Sequence, residues 1–282
     1  MIDFHCHSGP DALQRSVSDL EIARIAKRAG MRGLVFKNHF TSTAARAELV
    51  RHEVPGLEVF GGIVLNRAIG GLNPEAVKRM TEFEGQRGKV VWLPTFDAEN
   101  HVKYFKENRP FVPILDNGHA APELSEIFRL IAEHDLVLAT GHSSVPEILL
   151  LIPEAKKAGV KKILVTHAMA APIVATESEM KRMAELGAII EHAWSTQLSG
   201  PTALSPIQRS YKQVTATEYA RAVKAIGAEH FLISSDLGQY LNPLHTDGMK
   251  AFMLALGEAG LGEREIDVMA RKNPARLLGL AD

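Results

Sequence analysis

Residues 1–30 read MIDFHCHSGPDALQRSVSDLEIARIAKRAG, and they show the unit from which the whole chain is built. A short apolar run at 2–4 gives way to a polar tip holding His5 and His7, and an amphipathic stretch follows. Ser18 and Glu21 have the spacing of a capping box. Ile22, Ile25, Ala26 and Ala29 then keep helical period until Gly30 stops the turn. The unit recurs. Apolar runs fall at 34–36, 59–65, 90–93, 136–140, 163–166, 188–191 and 231–235. Helical stretches follow at about 43–51, from Pro74, near Glu123, from Pro146, and at about 177–186 and 217–226, with two more helices closing the chain. Pro74 and Pro146 suit a first helical turn, where the missing N–H has no partner to lose. Eight strand-then-helix units predict a single-domain (β/α)8 TIM barrel over residues 1–282. An open doubly wound sheet is the other α/β solution, but no GxGxxG or GxxxxGK[ST] loop follows an early run.

Composition narrows the function. The chain has 282 residues, 46% of them hydrophobic, enough for a substantial core. With 32 basic and 33 acidic residues it is not a polybasic nucleic-acid or membrane-surface protein. No apolar run approaches the roughly 20 residues of a membrane helix, and the first residues do not read as a signal peptide. A lone cysteine, Cys6, leaves no intramolecular disulfide and fits a reducing cytoplasm, the expected location. The long stretches 96–122 and 194–215 carry no basic cluster with interleaved aromatics, so nucleic acid is not expected. A lid, or a contact between copies in a homo-oligomer, suits them better.

Twelve histidines are the unusual feature, and many stand where an apolar run ends. His5 and His7 follow the first run, Lys37 and His39 the second, His142 the fifth and His167 the sixth. Glu191 and His192 follow the seventh, and the eighth ends in Ser234-Ser235-Asp236. Alternation along an extended segment turns both imidazoles of an HxH the same way, so they can grip one cation. Taken singly, His142 or His167 reads as a packed histidine and Asp236 as a cap. Jointly, HxH, His, His and Asp at the catalytic ends of barrel strands point to a metal site. Thr95, Asp97, His101, His192 and Gln239 fall on the same face and, with His39, are candidates for substrate contact. His52, His134 and His230 read as surface residues.

This order of ligands resembles the amidohydrolase superfamily of metal-dependent hydrolases, which includes the phosphotriesterase-like enzymes. The resemblance runs along the whole chain to Asn273-Pro274-Ala275-Arg276-Leu277-Leu278-Gly279, which looks like the terminal helix of such barrels. It implies a branch without a flanking β-sandwich, holding one or two divalent ions. Zn²⁺ leads, with Mn²⁺, Fe²⁺ and Ni²⁺ compatible with mixed N/O ligands. By the same resemblance His5, His7 and Asp236 hold the more buried ion, and His142 and His167 the more exposed one. Relatives bridge two ions with a carboxylated lysine or a glutamate, usually from the fourth strand. Here that strand reads Val90-Val91-Trp92-Leu93-Pro94-Thr95-Phe96-Asp97, with neither at its tip. Lys37 is the candidate instead, as a carboxylated bridge or as an unmodified lysine binding an anionic group; without a bridge the site holds one ion.

The implied chemistry is hydrolysis of an amide, lactone or other ester bond in a small molecule, with Asp236 taking and returning the proton of an activated water. A phosphoesterase of the polymerase-and-histidinol-phosphatase type shares the opening Asp3-Phe4-His5-Cys6-His7-Ser8. Asn38-His39 stands where that family has Asp-His, and Ser235-Asp236-Leu237 lacks its final histidine. A one-metal decarboxylase is a further enzymatic reading. A barrel that only binds a metabolite has no need of Asp236.

Overall fold

The computed structural model describes residues 1–281. The strands in chain order are β1 (Ile2–Cys6), β2 (Gly33–Phe36), β3 (Glu58–Val64), β4 (Gly88–Trp92), β5 (Leu115–Asp116), β6 (His119–Ala120), β7 (Val137–Ala139), β8 (Lys162–Val165), β9 (Ile189–Ala193) and β10 (Phe231–Ser234). Eight of them pair in parallel in the order β1-β2-β3-β4-β7-β8-β9-β10, the expected (β/α)8 barrel. β5 and β6 form a small antiparallel hairpin inside the stretch 96–122, which the sequence did not announce. Among the described residues no other strands lie outside the barrel.

The helices are α1 (Asp19–Arg28), α2 (Ala44–Glu53), α3 (Pro74–Glu82), α4 (Glu99–Tyr104), α5 (Glu123–Glu133), α6 (Val145–Lys157), α7 (Glu177–Glu185), α8 (Ala216–Ile226), α9 (His245–Glu258), α10 (Glu263–Asp267) and α11 (Asn273–Leu278). α1, α7 and α8 start with capping boxes, Ser18 with Glu21, Thr176 with Glu179 and Thr215 with Glu218. Each box satisfies amides that the helix itself cannot. None of these helices is long and apolar enough to cross a membrane.

Packing separates the two faces of every strand. One buried cluster joins Val35, Val64, Trp92, Ala139, Leu164, Ile189 and Leu232, and side chains from seven strands can meet only around the barrel axis. The opposite faces pack on helices; Leu34 and Phe36 meet Ile22, Ala23 and Ala26 of α1. Each fully buried Leu, Ile or Phe side chain contributes about 1.5–3 kcal/mol. Alternation then decides orientation at the mouth. Lys37 continues the inward phase of Val35, and Glu191 that of Ile189.

The barrel closes between its first and last strands through residues of the mouth. The Asp236 amide donates to the His5 carbonyl at 2.9 Å, and the His7 amide to the Leu237 carbonyl at 2.9 Å. Below them, Asp3 Oδ1 accepts the Ser235 amide at 2.8 Å and the His5 amide at 3.3 Å. Gly238 completes the seam. A Cβ there would lie 1.7 Å from the His7 carbonyl oxygen, and its φ of +118° is open to glycine alone.

Candidate metal centre

His5 and His7 leave β1 on the same side, their ring centroids 5.2 Å apart. His5 Nδ1–H donates to Glu191 Oε1 at 2.9 Å, and His7 Nδ1–H to the Lys37 carbonyl at 3.1 Å. Those tautomers turn both Nε2 lone pairs to one point. Asp236 Oδ1 is at the same point, 3.1 Å from His5 Nε2 and 3.2 Å from His7 Nε2. Three acceptor atoms within 4.8 Å of one another repel unless a cation lies among them, and two imidazole nitrogens with a carboxylate suit a divalent one. Asp236 has φ +46°, a conformation that costs an aspartate about 1–3 kcal/mol and is held here from several sides. Ser195 Oγ donates to its Oδ2 at 2.8 Å and Gln239 Nε2 to its carbonyl at 2.8 Å. Burial pushes the carboxyl pKa up, but positive charge at this point, on the His5 and His7 imidazoles or on an ion held between them, outweighs it and holds Asp236 well below the usual carboxylate range.

Two charged groups stand behind these three. Lys37 is buried over the Trp92 ring, with Nζ 3.0 Å from His5 Nε2. Burial lowers its pKa to about 8 against the opposing pull of Asp236 and Glu191. Glu191 accepts from His5, from Ser234 Oγ at 2.7 Å and from the His167 amide at 2.9 Å. Burial raises its pKa, yet His5, His167 and these hydrogen bonds bring it down to about 2. Glu191 therefore orients one imidazole and pins the backbone of another. A carboxylate in the inward phase of an apolar run was its signal.

The second corner of the mouth holds imidazoles. Gly141 turns the chain after β7 with φ +58°, where a Cβ would meet the Leu93 carbonyl at 2.2 Å, and brings His142 over the mouth. His142 Nδ1 lies 2.8 Å from His101 Nδ1, one donating and the other accepting. His167, at φ +25°, has its ring centroid 5.0 Å from that of His142, and its buried Nδ1 finds no protein partner. Burial drives His142 well below the ordinary imidazole pKa, and His101 and His167 to about 4, so all three are neutral near pH 7.

A cavity opens above, walled by side chains of the strand ends and of the loops that follow them. His39 and Gln239 line it. His39 stacks on Phe96 at 4.1 Å and is fixed by Thr95 Oγ1 at 2.8 Å. The other four proposed contacts lie off its wall. Thr95 is fully buried and serves His39 and Asn66. Asp97 is taken by Arg109 Nη1 at 2.5 Å and the Arg67 amide at 2.9 Å. His101, on α4, reaches the cavity only through His142. His192 points outward between Tyr219 and Phe231, because β9 runs two residues past its expected end and alternation turns Glu191 in and His192 out. The expectation for His192 is thus corrected, and the other three are re-read as supports. Wall residues the sequence did not single out include Arg15, Ser195, Gln208 and Tyr211. They come from loops without periodicity.

The eight-stranded barrel, with His5, His7 and Asp236 at its strand ends, shares its fold with several solved proteins. It superposes on a TatD homologue of Escherichia coli K12 with TM-score 0.64 at 14% identity, covering 100% of this chain and 98% of that one. A zinc-containing amidohydrolase of Burkholderia multivorans gives 0.62 at 12%, with 99% of both chains covered. The organophosphorus hydrolase of Deinococcus radiodurans gives 0.60 at 17%, covering 92% of this chain and 82% of that one. At such identities the likeness is one of fold. No curated protein matches the sequence. The chain belongs to DUF6282, a family of unknown function whose profile matches residues 1–191, from the His5-His7 pair through Glu191 and short of Asp236.

Proposed function

We propose that the chain is a metal-dependent hydrolase that cleaves an amide, lactone or other ester bond in a small molecule. The observation that carries this reading is the convergence of His5 Nε2, His7 Nε2 and Asp236 Oδ1 at the floor of a cavity at the strand ends. A divalent ion, Zn²⁺ first, would supply there an acidified water and a positive charge for the scissile carbonyl oxygen. Asp236 takes the water's proton on Oδ2, the oxygen turned away from His5 and His7, and returns it to the leaving group. Glu191 keeps His5 in the tautomer that presents Nε2. His39 and Phe96 form a flat wall against which an acyl or ring group lies.

Lys37 bears on the number of ions. Its Nζ reaches the cluster, and carboxylation there would add the anionic ligand that His142 and His167 lack. Unmodified, it serves an anionic group of the substrate. Elemental analysis of the purified protein, with assays on ester, lactone, amide and phosphoester panels, tests the proposal. At least one equivalent of divalent metal and chelator-sensitive hydrolysis are expected. A metal-free protein, or one hydrolysing no member of any panel when loaded, overturns it.

A further inference from the structure

Arg15 lies in the loop between β1 and α1, which crosses the seam and bridges to Gln239. Its side chain is 4% exposed, and that of Asp11 is fully buried beside it. Nε donates to Asp11 Oδ2 at 2.7 Å. Among the described residues, the terminal nitrogens find no oxygen acceptor. Nη2 is 3.2 Å from His7 Nδ1, but that nitrogen already donates to the Lys37 carbonyl, so a donor faces a donor. The terminal nitrogens are not sealed inside the protein but open onto the cavity, where they are free to donate to a bound anion. Arg15 lines the cavity, where the other ionised side chains are Lys37 and Asp236; Asp236 turns Oδ1 toward His5 and His7 and accepts from Ser195 on Oδ2, so it does not take up Arg15.

We infer that Arg15 is the anchor for a carboxylate of the substrate, so that the hydrolysed molecule is a carboxylate-bearing ester, lactone or amide. The inference rests on the hydrolase reading for its reaction, not for its binding. A guanidinium edge matches a carboxylate in two parallel hydrogen bonds, which a lysine cannot reproduce. The anchored group then lies beside the metal cluster, since Nη2 already touches the edge of His7.

Calorimetry on the full chain as purified, with metal content matched, compares benzoate with its neutral isostere benzamide. The parent should bind benzoate at least about ten-fold more tightly, Arg15→Met should erase that preference, and Arg15→Lys should keep part of it. A parent without the preference overturns the inference. So does Arg15→Met that retains it, since Lys37 or the metal would then carry the anion. In turnover, 5-oxotetrahydrofuran-2-carboxylate is compared with γ-butyrolactone. Arg15→Met should lower kcat/KM for the carboxylate by about 10²-fold, mainly through KM, and leave the neutral lactone within a few-fold. Equal losses on both overturn the inference. Hydrolysis of nothing would refute the reaction, while the benzoate comparison still decides the anchor.

Discussion

The two corners of the barrel mouth are built from the same residue type and differ in charge. At one, two imidazoles share a point with the Asp236 carboxylate, and Glu191 stands behind. At the other, His142, His167 and His101 meet with no carboxylate among them. Neutral imidazoles bind a cation through lone pairs alone, whereas a carboxylate adds Coulomb attraction that grows as water is excluded. The first corner should hold an ion by itself, and the second should depend on what is added to it. Number of histidines is therefore a poor guide to where the metal sits.

The largest expected effect is at the first corner. His5→Ala or His7→Ala should remove essentially all bound metal in elemental analysis, and retention by both variants would break the comparison. Next comes Asp236→Asn. Asparagine tolerates φ +46°, so the backbone should persist, while turnover falls about 10²- to 10⁴-fold at matched metal occupancy. Turnover within a few-fold of the parent would leave Asp236 a structural role only. His142→Ala should have a graded effect, losing only the fraction of metal above one equivalent; loss of everything would make the corners one site.

The smallest effect lies outside both. Burial holds His192 at a pKa of about 3, against about 6.5 in an unfolded chain. Below pH 6.5 the unfolded state takes up a proton that the fold refuses, so stability present above that pH is lost as pH falls toward 3, by about 1.4 kcal/mol per unit. His192→Phe should reduce the loss between pH 7 and pH 5 by about 2 kcal/mol in urea unfolding, with metal content unchanged. An identical loss in parent and variant would show the ring to be hydrated.

What the sequence disclosed follows from the same physics. Apolar runs and helix starts such as Ser18 with Glu21 stand out because burial and capping act on neighbours in the chain. The runs were clear in the barrel wall and failed at the mouth, where inward positions become polar. β9 thus looked finished at Glu191 although it continues to Ala193. His5, His7 and Asp236 were legible because each ends an apolar run. Arg15 and Tyr211 were not, since loops bring them to the cavity with no local pattern. The tie between His101 and His142 was equally silent, because α4 is a short helix within a stretch that read as loop.

The seam between β1 and β10 has a consequence in time. Asp3 and Ser235, which it joins, stand 232 residues apart in the chain. Contacts of such long range form late, because the closure entropy must be met before they are rewarded. The bonds that close the ring also fix the backbones of His5, His7 and Asp236. A chain still emerging from a ribosome, or one paused with its sheet open, has the two imidazoles of His5 and His7 but not the carboxylate of Asp236 beside them, and would grip a cation only weakly. Acquisition of metal would mark the moment at which folding is complete.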